Sequence, residues 1–172
     1  MENVELRQAE KNDLIALETM YRDLSQDMCK VGVGIWNEYY PYEDFESEIG
    51  NGELYVISID DEVVVAFSLS DSMEGNKCFN WSQGKALYLS HLGVRLDHRR
   101  QGLGTLAVEC AMGLARENGC DYVRLSVVDI NEPATRLYLN NGFVRVEGIN
   151  KFYSELLTRE LVEYGYERAC NN

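Results

Sequence analysis

The stretch LYLSHLGVRLDHRRQGLG, residues 87–104, decides the fold of this chain. It is an apolar run, typical of a buried strand, that ends in a basic loop and leads into a helix. The helix is predicted because apolar side chains recur at spacings of three and four after Gly102. These side chains are Leu103, Leu106, Ala107, Cys110, Ala111, Leu114 and Ala115. The glycines of the loop therefore lie at a helix N-terminus, where backbone N–H groups lack intrahelical partners and the helix dipole is positive.

This loop is predicted to bind an anionic ligand. Backbone N–H groups at a helix start hold a phosphate when no side chain blocks the approach, and Gly102 and Gly104 leave it open. Four basic residues concentrate positive potential there, in a chain whose formal net charge is −13. They are Arg95, His98, Arg99 and Arg100. The sequence contains neither the P-loop pattern GxxxxGK[ST] nor the dinucleotide pattern GxGxxG. The predicted phosphate site is therefore neither a P-loop nor a Rossmann dinucleotide site.

A second motif follows one predicted strand later. Tyr122–Val128 is a short β-branched run, and a helix is predicted to begin at Asn131 and to end at Gly142. This segment spells N-x-x-A-x-x-L-Y-x-x-x-G-F from Asn131 to Phe143. Asn131 either caps its helix or contacts a ligand.

Together the two motifs resemble the signatures of the GCN5-related N-acetyltransferase (GNAT) family. Arg99-x-x-Gly102-x-Gly104 is similar to the family's acetyl-CoA pyrophosphate loop, [QR]-x-x-G-x-[GA], and the Asn131–Phe143 segment is similar to its second signature. The resemblance implies an α/β fold with a mixed central β-sheet flanked by helices, the acyl-CoA N-acyltransferase (GNAT) fold. It covers the chain from Val4 to Gly148 and is specific from Leu87 onward.

The resemblance also implies the residues of the site. Backbone groups of Leu92 and Val94 are expected to bind pantetheine, and Asn131 is a further candidate contact. The pyrophosphate of acetyl-CoA, the expected cosubstrate, is assigned to Arg99, Arg100, Gln101, Gly102, Gly104 and Thr105. Tyr138 matches the family's general acid, and a phenol with a pKa near ~10 is suited to protonate an alkyl thiolate. The alternative for Tyr138 is an aromatic side chain packed in the core.

The sequence leaves the identity of the general base undecided. Some relatives carry a Glu or His on the strand before the loop, and Tyr88 and Ser90 occupy those places here. His91 is next to them, but strict alternation puts it on the opposite face unless a bulge reverses the parity. A hydrogen-bonded structural histidine is favoured over a base at this position. The other option is deprotonation through water, aided by Glu38, Glu43 or Tyr88.

Composition restricts the class of protein. The 172 residues predict a single domain spanning 1–172. No apolar run reaches the ~18 residues of a membrane span, and the polar start MENVELRQAEKND is unlike a signal peptide, so a cytoplasmic location without membrane contact is expected. Five cysteines without CxxC spacing predict reduced thiols, and two histidines make a metal site improbable.

Charge bears on the partner. The chain has 29 acidic against 16 basic residues, which argues against nucleic acid and favours a cationic amine. The loop around Trp36–Phe45 is rich in aromatic and acidic side chains and resembles the acceptor region of the family. Packing of this loop onto the core is the other explanation of its aromatics.

Periodicity outlines the remaining elements. A strand at Val4–Ala9 precedes a helix capped by Asn12 or Asp13. Further along, the predictions are a short helix (Glu43–Gly50), a hairpin (Leu54–Ile59 and Val63–Leu69), a strand (Leu87–Val94), a strand (Phe143–Glu147), one helical turn (Tyr153–Thr158) and a last strand (Arg159–Glu167).

The predicted function is transfer of the acetyl group of acetyl-CoA to a primary amine by direct attack in a ternary complex. A small cationic molecule is the expected acceptor, and a homodimer is left open. One alternative is a non-catalytic acyl-CoA-binding sensor or interaction module. The other is an enzyme that acetylates an amine of a protein or peptide.

Overall fold

The computed structural model describes residues 3–37 and 39–171. In these residues the chain forms a mixed β-sheet of seven strands flanked by helices, with the strand order β1-β2-β3-β4-β5-β7-β6. The strands are β1 Val4–Gln8, β2 Leu54–Ile59, β3 Glu62–Ser70, β4 Ala86–Val94, β5 Tyr122–Val128, β6 Val144–Ser154 and β7 Arg159–Ala169. The helices are α1 Leu14–Lys30, α2 Phe45–Asn51, α3 Leu103–Glu117 and α4 Glu132–Asn140. The chain divides into two compact units: a first unit of residues 1–69 and 91–107, and a second of residues 70–90 and 108–172.

The first unit is built on the β2–β3 hairpin, which the sequence predicts correctly. Asp60 and Asp61 both have positive φ angles, 48° and 67°, as a two-residue hairpin turn requires. Strand β1 adds to the edge of β2 in antiparallel register, with Val4 opposite Ile59. Helix α1 covers this unit with an apolar face, and its side chains Leu17, Met20, Tyr21 and Leu24 are buried together with Phe45 of α2.

The start of α1 differs from the prediction in one respect. Asp13 occupies the capping position, but its side chain makes no cap hydrogen bond to α1. Its carboxylate instead accepts two hydrogen bonds from Arg7, of 2.7 and 2.8 Å, and one from the main-chain N–H of Glu10, of 2.7 Å. The hydrogen bonds from Arg7 hold the pKa of Asp13 below its ordinary value. Asp13 therefore fastens β1 to the segment that leads into α1.

The second unit is centred on β5. This strand pairs in parallel with β4, Ala86–Tyr88 against Tyr122–Arg124, and in antiparallel with β7. The predicted helical turn at Tyr153–Thr158 is wrong, because β6 continues to Ser154 and pairs with β7 down to Ser154 opposite Arg159. The C-terminal segment is a long hairpin, since cross-strand pairing satisfies its backbone groups better than an isolated helical turn.

The apolar stripe of α3 is confirmed with a small rotation. Ala107, Ala111 and Ala115 are buried as predicted, whereas Leu106 is 36% exposed, and Val108 and Met112 are fully buried instead. All five cysteines are free thiols. Across residues 3–37 and 39–171, no group of three or more His, Cys, Asp or Glu side chains is arranged to hold a metal ion. None of the helices in the same residues is long and apolar enough to cross a membrane.

Candidate functional site

The loop between β4 and α3 has the backbone that the glycine pattern predicts. After one 3-10 turn, Leu96–His98, the chain passes through Arg100 at φ +62° and Gly102 at φ +78° and enters α3 at Leu103. A Cβ atom built on Gly102 would meet no heavy atom within 4 Å, and the residue is exposed. The space around Gly102, immediately before the α3 N-terminus, is therefore open, and the first N–H groups of a helix lack intrahelical partners.

The basic side chains of this loop are arranged differently from the prediction. Arg95 binds Asp97 through two hydrogen bonds of 2.8 Å, which hold the pKa of Asp97 well below its ordinary value. His98 also contacts Asp97, and Arg99 donates to Asp27 of α1 at 2.6 Å. Arg100 makes no ion pair with any residue that the structure describes, and it is exposed. Most of the predicted positive charge is thus compensated, and the loop presents main-chain donors and the guanidinium of Arg100, which no described residue compensates.

The other predicted cofactor residues lie at the two ends of this segment. Leu92 and Val94 are half-buried in β4, beyond the stretch Ala86–Tyr88 over which β4 pairs with β5. Gln101 is exposed in the loop, and Thr105 is exposed in the first turn of α3. These residues, with Arg99, Arg100, Gly102 and Gly104, form one continuous segment of the first unit.

Asn131 acts as a helix cap. Its side-chain oxygen accepts a hydrogen bond of 3.3 Å from the main-chain N–H of Ala134, and Pro133 stands in the first turn of α4. This capping contact satisfies a donor that the helix leaves open.

Tyr138 is buried in the second unit, with 8% of its surface exposed. Its ring stands edge-on to Phe143, with centroids 5.5 Å apart. Removal from water raises the pKa of the phenol well above its ordinary value, because the phenolate loses hydration. The group therefore stays protonated throughout the physiological pH range, which is the state that a proton donor needs.

Tyr88, a candidate base, belongs to a different cluster. Its hydroxyl oxygen accepts a hydrogen bond of 3.3 Å from the buried guanidinium of Arg124. Arg124 also lies 5.3 Å from the ring centre of Trp81, and its Nε is 3.4 Å from a carboxylate oxygen of the buried Glu167. This packing places Tyr88 in the core of the second unit, against the guanidinium of Arg124.

His91, the other candidate, sits at a break in the strand. Its φ is +56°, outside the β-region, so the alternation that the sequence analysis assumed does not hold there. The imidazole Nδ1 lies 3.0 Å from a carboxylate oxygen of Glu48, and Nε2 lies 2.9 Å from the hydroxyl of Tyr40. The hydrogen bonds expected of His91 are present, and its side chain is partly buried, with 11% of its surface exposed. Glu43, in contrast, is exposed in a 3-10 turn, and Glu38 lies outside the described residues.

Glu48 is the carboxylate that sequence reasoning missed. The signal was present, because Phe45 and Glu48 are three residues apart in the predicted short helix and so share a face. Since Phe45 is fully buried, a glutamate on that face needs a polar partner. The partner is His91, which is 43 residues later in the sequence and reaches Glu48 only through the fold.

Parts of the chain are similar in sequence to known N-acetyltransferases. Over 66 residues the chain is 38% identical to N-alpha-acetyltransferase 30 of Xenopus laevis, a match that covers 38% of this chain and 24% of that protein. It is 32% identical over 75 residues to the thialysine N-epsilon-acetyltransferase of Sus scrofa, covering 42% and 44% of the two chains. The chain thus spans less than half the length of these relatives.

The fold has solved counterparts, and the sequence matches a family model. The structure of yncA from Salmonella typhimurium with its cofactor acetyl-CoA superposes with a TM-score of 0.68 at 17% identity, covering 98% of this chain and 95% of that one. The family model described as acetyltransferase (GNAT) family matches residues 17–143, which include the glycine loop and the Asn131–Phe143 signature. On this match over most of its length, the chain belongs to the GNAT acetyltransferase family.

Proposed function

We propose that this chain transfers the acetyl group of acetyl-CoA to a primary amine. The observation that carries the proposal is the loop at the start of α3, where Gly102 is in the left-handed conformation and leaves open space in front of the helix. Main-chain N–H groups there suit a pyrophosphate, and Arg100 adds a charge that no described residue compensates. Leu92 and Val94 supply backbone groups for the pantetheine arm.

The chemistry requires three functions. The amine must be neutral when it attacks, the developing oxyanion needs hydrogen-bond donors, and the departing thiolate needs a proton. Backbone N–H groups of the β4 end are the proposed oxyanion donors. Tyr138 is the proposed proton donor, because its buried phenol holds its proton at neutral pH. An alkyl thiolate is a base close in strength to the phenolate of a tyrosine with an ordinary pKa.

The proposed acceptor is a small cationic amine. Tyr40 is 39% exposed and lies edge-on to His91, so a phenol face and an acidic group, Glu48, stand near one another in the first unit. Aromatic faces backed by a carboxylate favour an ammonium group. A second candidate is the amine of a protein N-terminus, which the identity with N-alpha-acetyltransferase 30 over 66 residues favours.

Calorimetric titration with acetyl-CoA, followed by an assay of thiol release, tests the proposal. The amines are spermidine, kanamycin, L-lysine and a basic peptide with a free N-terminus. Binding of acetyl-CoA with release that depends on one of these amines supports the transferase, and the active amine separates the small-molecule acceptor from the peptide. Binding without release from any amine supports the sensor instead, and lack of binding contradicts the proposed cofactor loop.

A further inference from the structure

Three polar side chains from three separate segments of the first unit meet around His91, which lies in a fourth. Tyr40 comes from the loop before α2, Glu48 from α2, Ser68 from β3 and His91 from β4. Ser68 donates to one carboxylate oxygen of Glu48 at 2.5 Å, and His91 Nδ1 lies 3.0 Å from the other. The hydroxyl of Tyr40 lies 2.9 Å from His91 Nε2. A continuous chain of hydrogen bonds therefore joins an exposed phenol to a partly buried carboxylate.

The position of the imidazole is fixed from several sides. The main-chain oxygen of His91 accepts a hydrogen bond from the hydroxyl of Tyr21, and the ring centre lies 6.2 Å from that of Phe45 and 5.3 Å from that of Tyr40. The side chain is only 11% exposed, and that of Glu48 is 14% exposed. A side chain held this firmly loses little freedom when it takes up a proton, which is a property of a positioned acid–base group.

The partners determine which nitrogen carries the proton. An ionised carboxylate only accepts hydrogen bonds, so Nδ1 must be the donor to Glu48. In the neutral ring Nε2 is then an acceptor, and it faces the hydroxyl of Tyr40. Ser68 lies 3.4 Å from Nδ1 but has a single proton, which it gives to Glu48. The lone pair of Nε2 thus points toward the exposed side of the cluster.

We propose that Tyr40, His91 and Glu48, here named the Tyr40 relay, take the proton from the acceptor ammonium. This inference rests on the proposed function. The hydroxyl of Tyr40 receives a proton from the ammonium as it gives its own to His91 Nε2, and Glu48 holds the resulting imidazolium. The freed lone pair attacks the thioester carbonyl carbon. When the C–S bond breaks, the departing sulfur takes up a proton and the nitrogen loses one, which gives the thiol of CoA and the amide. The relay returns its own proton to solvent.

In this scheme Tyr40, which contacts the ammonium, is the catalytic residue, and His91 and Glu48 are positioning residues that act through it. A purely structural link between α2 and β4 would use the same hydrogen bonds, so the test needs readouts that such a link does not affect. Amide substitutions provide them. The amide nitrogen of Asn occupies the place of Nδ1 and still donates to Glu48, while nothing replaces Nε2. Asn is also among the residues that adopt a positive φ most readily, so His91→Asn suits the backbone.

The experiment compares His91→Asn, Tyr40→Phe, the double variant and Glu48→Gln with the unmodified chain, using whichever of spermidine, kanamycin, L-lysine or the basic peptide is acetylated. We expect kcat to fall about 100-fold in His91→Asn, with the Kd of acetyl-CoA unchanged. The kcat of the double variant should be no lower than that of His91→Asn alone, because the effects of substitutions within one relay are not additive. Two matched controls should keep full activity: Glu46→Gln, on the exposed side of α2, and Tyr153→Phe, an exposed phenol of β6.

The pH dependence of kcat in His91→Asn supplies a second readout. The neutral fraction of an alkyl amine with a pKa near ~10.4 rises roughly a hundredfold between pH 7.5 and 9.5, so the reaction depends less on the relay at the higher pH. The loss of kcat in His91→Asn should therefore shrink at least about fivefold over this range. The groups that face His91 are Glu48 from α2, Tyr40 from its loop, Ser68 from β3 and Tyr21 from α1. If His91→Asn only disturbs the structure, its loss of kcat should be the same at both pH values.

Nuclear magnetic resonance tests the tautomer without an acceptor. The chain has two histidines, so His98→Gln leaves His91 as the single imidazole. Long-range 1H–15N correlation should show a protonated Nδ1 and an unprotonated Nε2, and Glu48→Gln should weaken this preference. Turnover of His91→Asn or Tyr40→Phe at the level of the unmodified chain, or the opposite tautomer, overturns the relay alone. An unmodified chain that acetylates none of the four amines overturns the proposed function, and the relay with it.

Discussion

The hydroxyl group of Tyr21, in the middle of α1, donates a hydrogen bond to the main-chain oxygen of His91, 70 residues later. The same hydroxyl lies 3.2 Å from the main-chain oxygen of Ala66 in β3. Next to it, a Cβ atom on Gly93 would stand only 3.0 Å from the hydroxyl and 2.8 Å from Leu24. The helix can approach β4 this closely because residue 93 has no side chain, and this contact fixes the backbone at His91.

Gly93→Ala is therefore expected to destabilise the chain. Tyr21 and Leu24 are buried and cannot move aside freely, so the added methyl group should lower the free energy of unfolding by about 1–3 kcal/mol. Urea unfolding measures this change. Gly113→Ala is the control, because a Cβ atom there meets nothing within 4 Å in the interior of α3, and it should stabilise the chain by about 0.5–1 kcal/mol. Equal stability of the two variants would contradict the close approach.

Gly102→Ala is expected to weaken the binding of acetyl-CoA. Residue 102 has a left-handed backbone, which is unfavourable for alanine, and the added methyl group enters the space assigned to the pyrophosphate. We therefore expect the Kd of acetyl-CoA to rise about tenfold or more, which is a loss of at least ~1.4 kcal/mol of binding free energy. Gly119→Ala is a matched control, since Gly119 has φ +65° and open space but lies after the end of α3. Both variants should lose about 1–2 kcal/mol of stability. If calorimetry finds the same Kd in both, the glycine loop is not the pyrophosphate site.

Tyr138→Phe tests the proposed acid. The substitution keeps the ring against Phe143 and removes only the hydroxyl, so the Kd of acetyl-CoA should stay within about twofold while kcat falls about 100-fold. Steady-state assays with the acceptor found in the amine screen give kcat, and calorimetry gives the Kd. Unchanged turnover would leave Tyr138 as a core aromatic.

The same residue makes stability depend on pH at the alkaline end. Burial raises the pKa of Tyr138 in the folded chain above its value in the unfolded chain, near ~10. Below that value both states hold the proton and the effect vanishes. Above it the unfolded state releases the proton first, so the free energy of unfolding should fall by up to about 1.4 kcal/mol per pH unit. Denaturant unfolding between pH 9 and 11 should show a shallower fall in Tyr138→Phe; equal slopes would contradict the raised pKa.

The buried pair of Arg124 and Glu167 should respond strongly to the loss of one partner. Glu167→Gln leaves the guanidinium buried without a counter-charge, which is expected to cost about 3–5 kcal/mol. The double variant Arg124→Met with Glu167→Gln should cost clearly less than the sum of the single changes. The exposed pair Lys151–Glu160 is the control, and Glu160→Gln should change stability by no more than about 1 kcal/mol. Additive effects in denaturant unfolding would contradict a coupled pair.

Most of the local structure followed from the sequence, because it depends on neighbours along the chain. The hairpin turn at Asp60 and Asp61, the strand Tyr122–Val128 and the helix cap at Asn131 rest on contacts within a few residues. The helical turn at Tyr153–Thr158 was wrong for the opposite reason. That segment is decided by pairing with residues 159–169, and local propensity carries no information on such pairing.

By itself the sequence determined the family, the mixed α/β fold and the glycine loop at the start of α3, because periodicity and short motifs encode features whose physics is local. Only the tertiary structure decided where the charges go. In the folded chain, Arg95 pairs with Glu62, His98 contacts Asp97, and Arg99 pairs with Asp27. Tyr88 is buried beside Arg124. Glu48 and Tyr40 lie next to the two ring nitrogens of His91. Such pairings join residues that are distant in sequence, and the energy that selects them, desolvation of charge balanced by hydrogen bonds, exists only once the chain has folded.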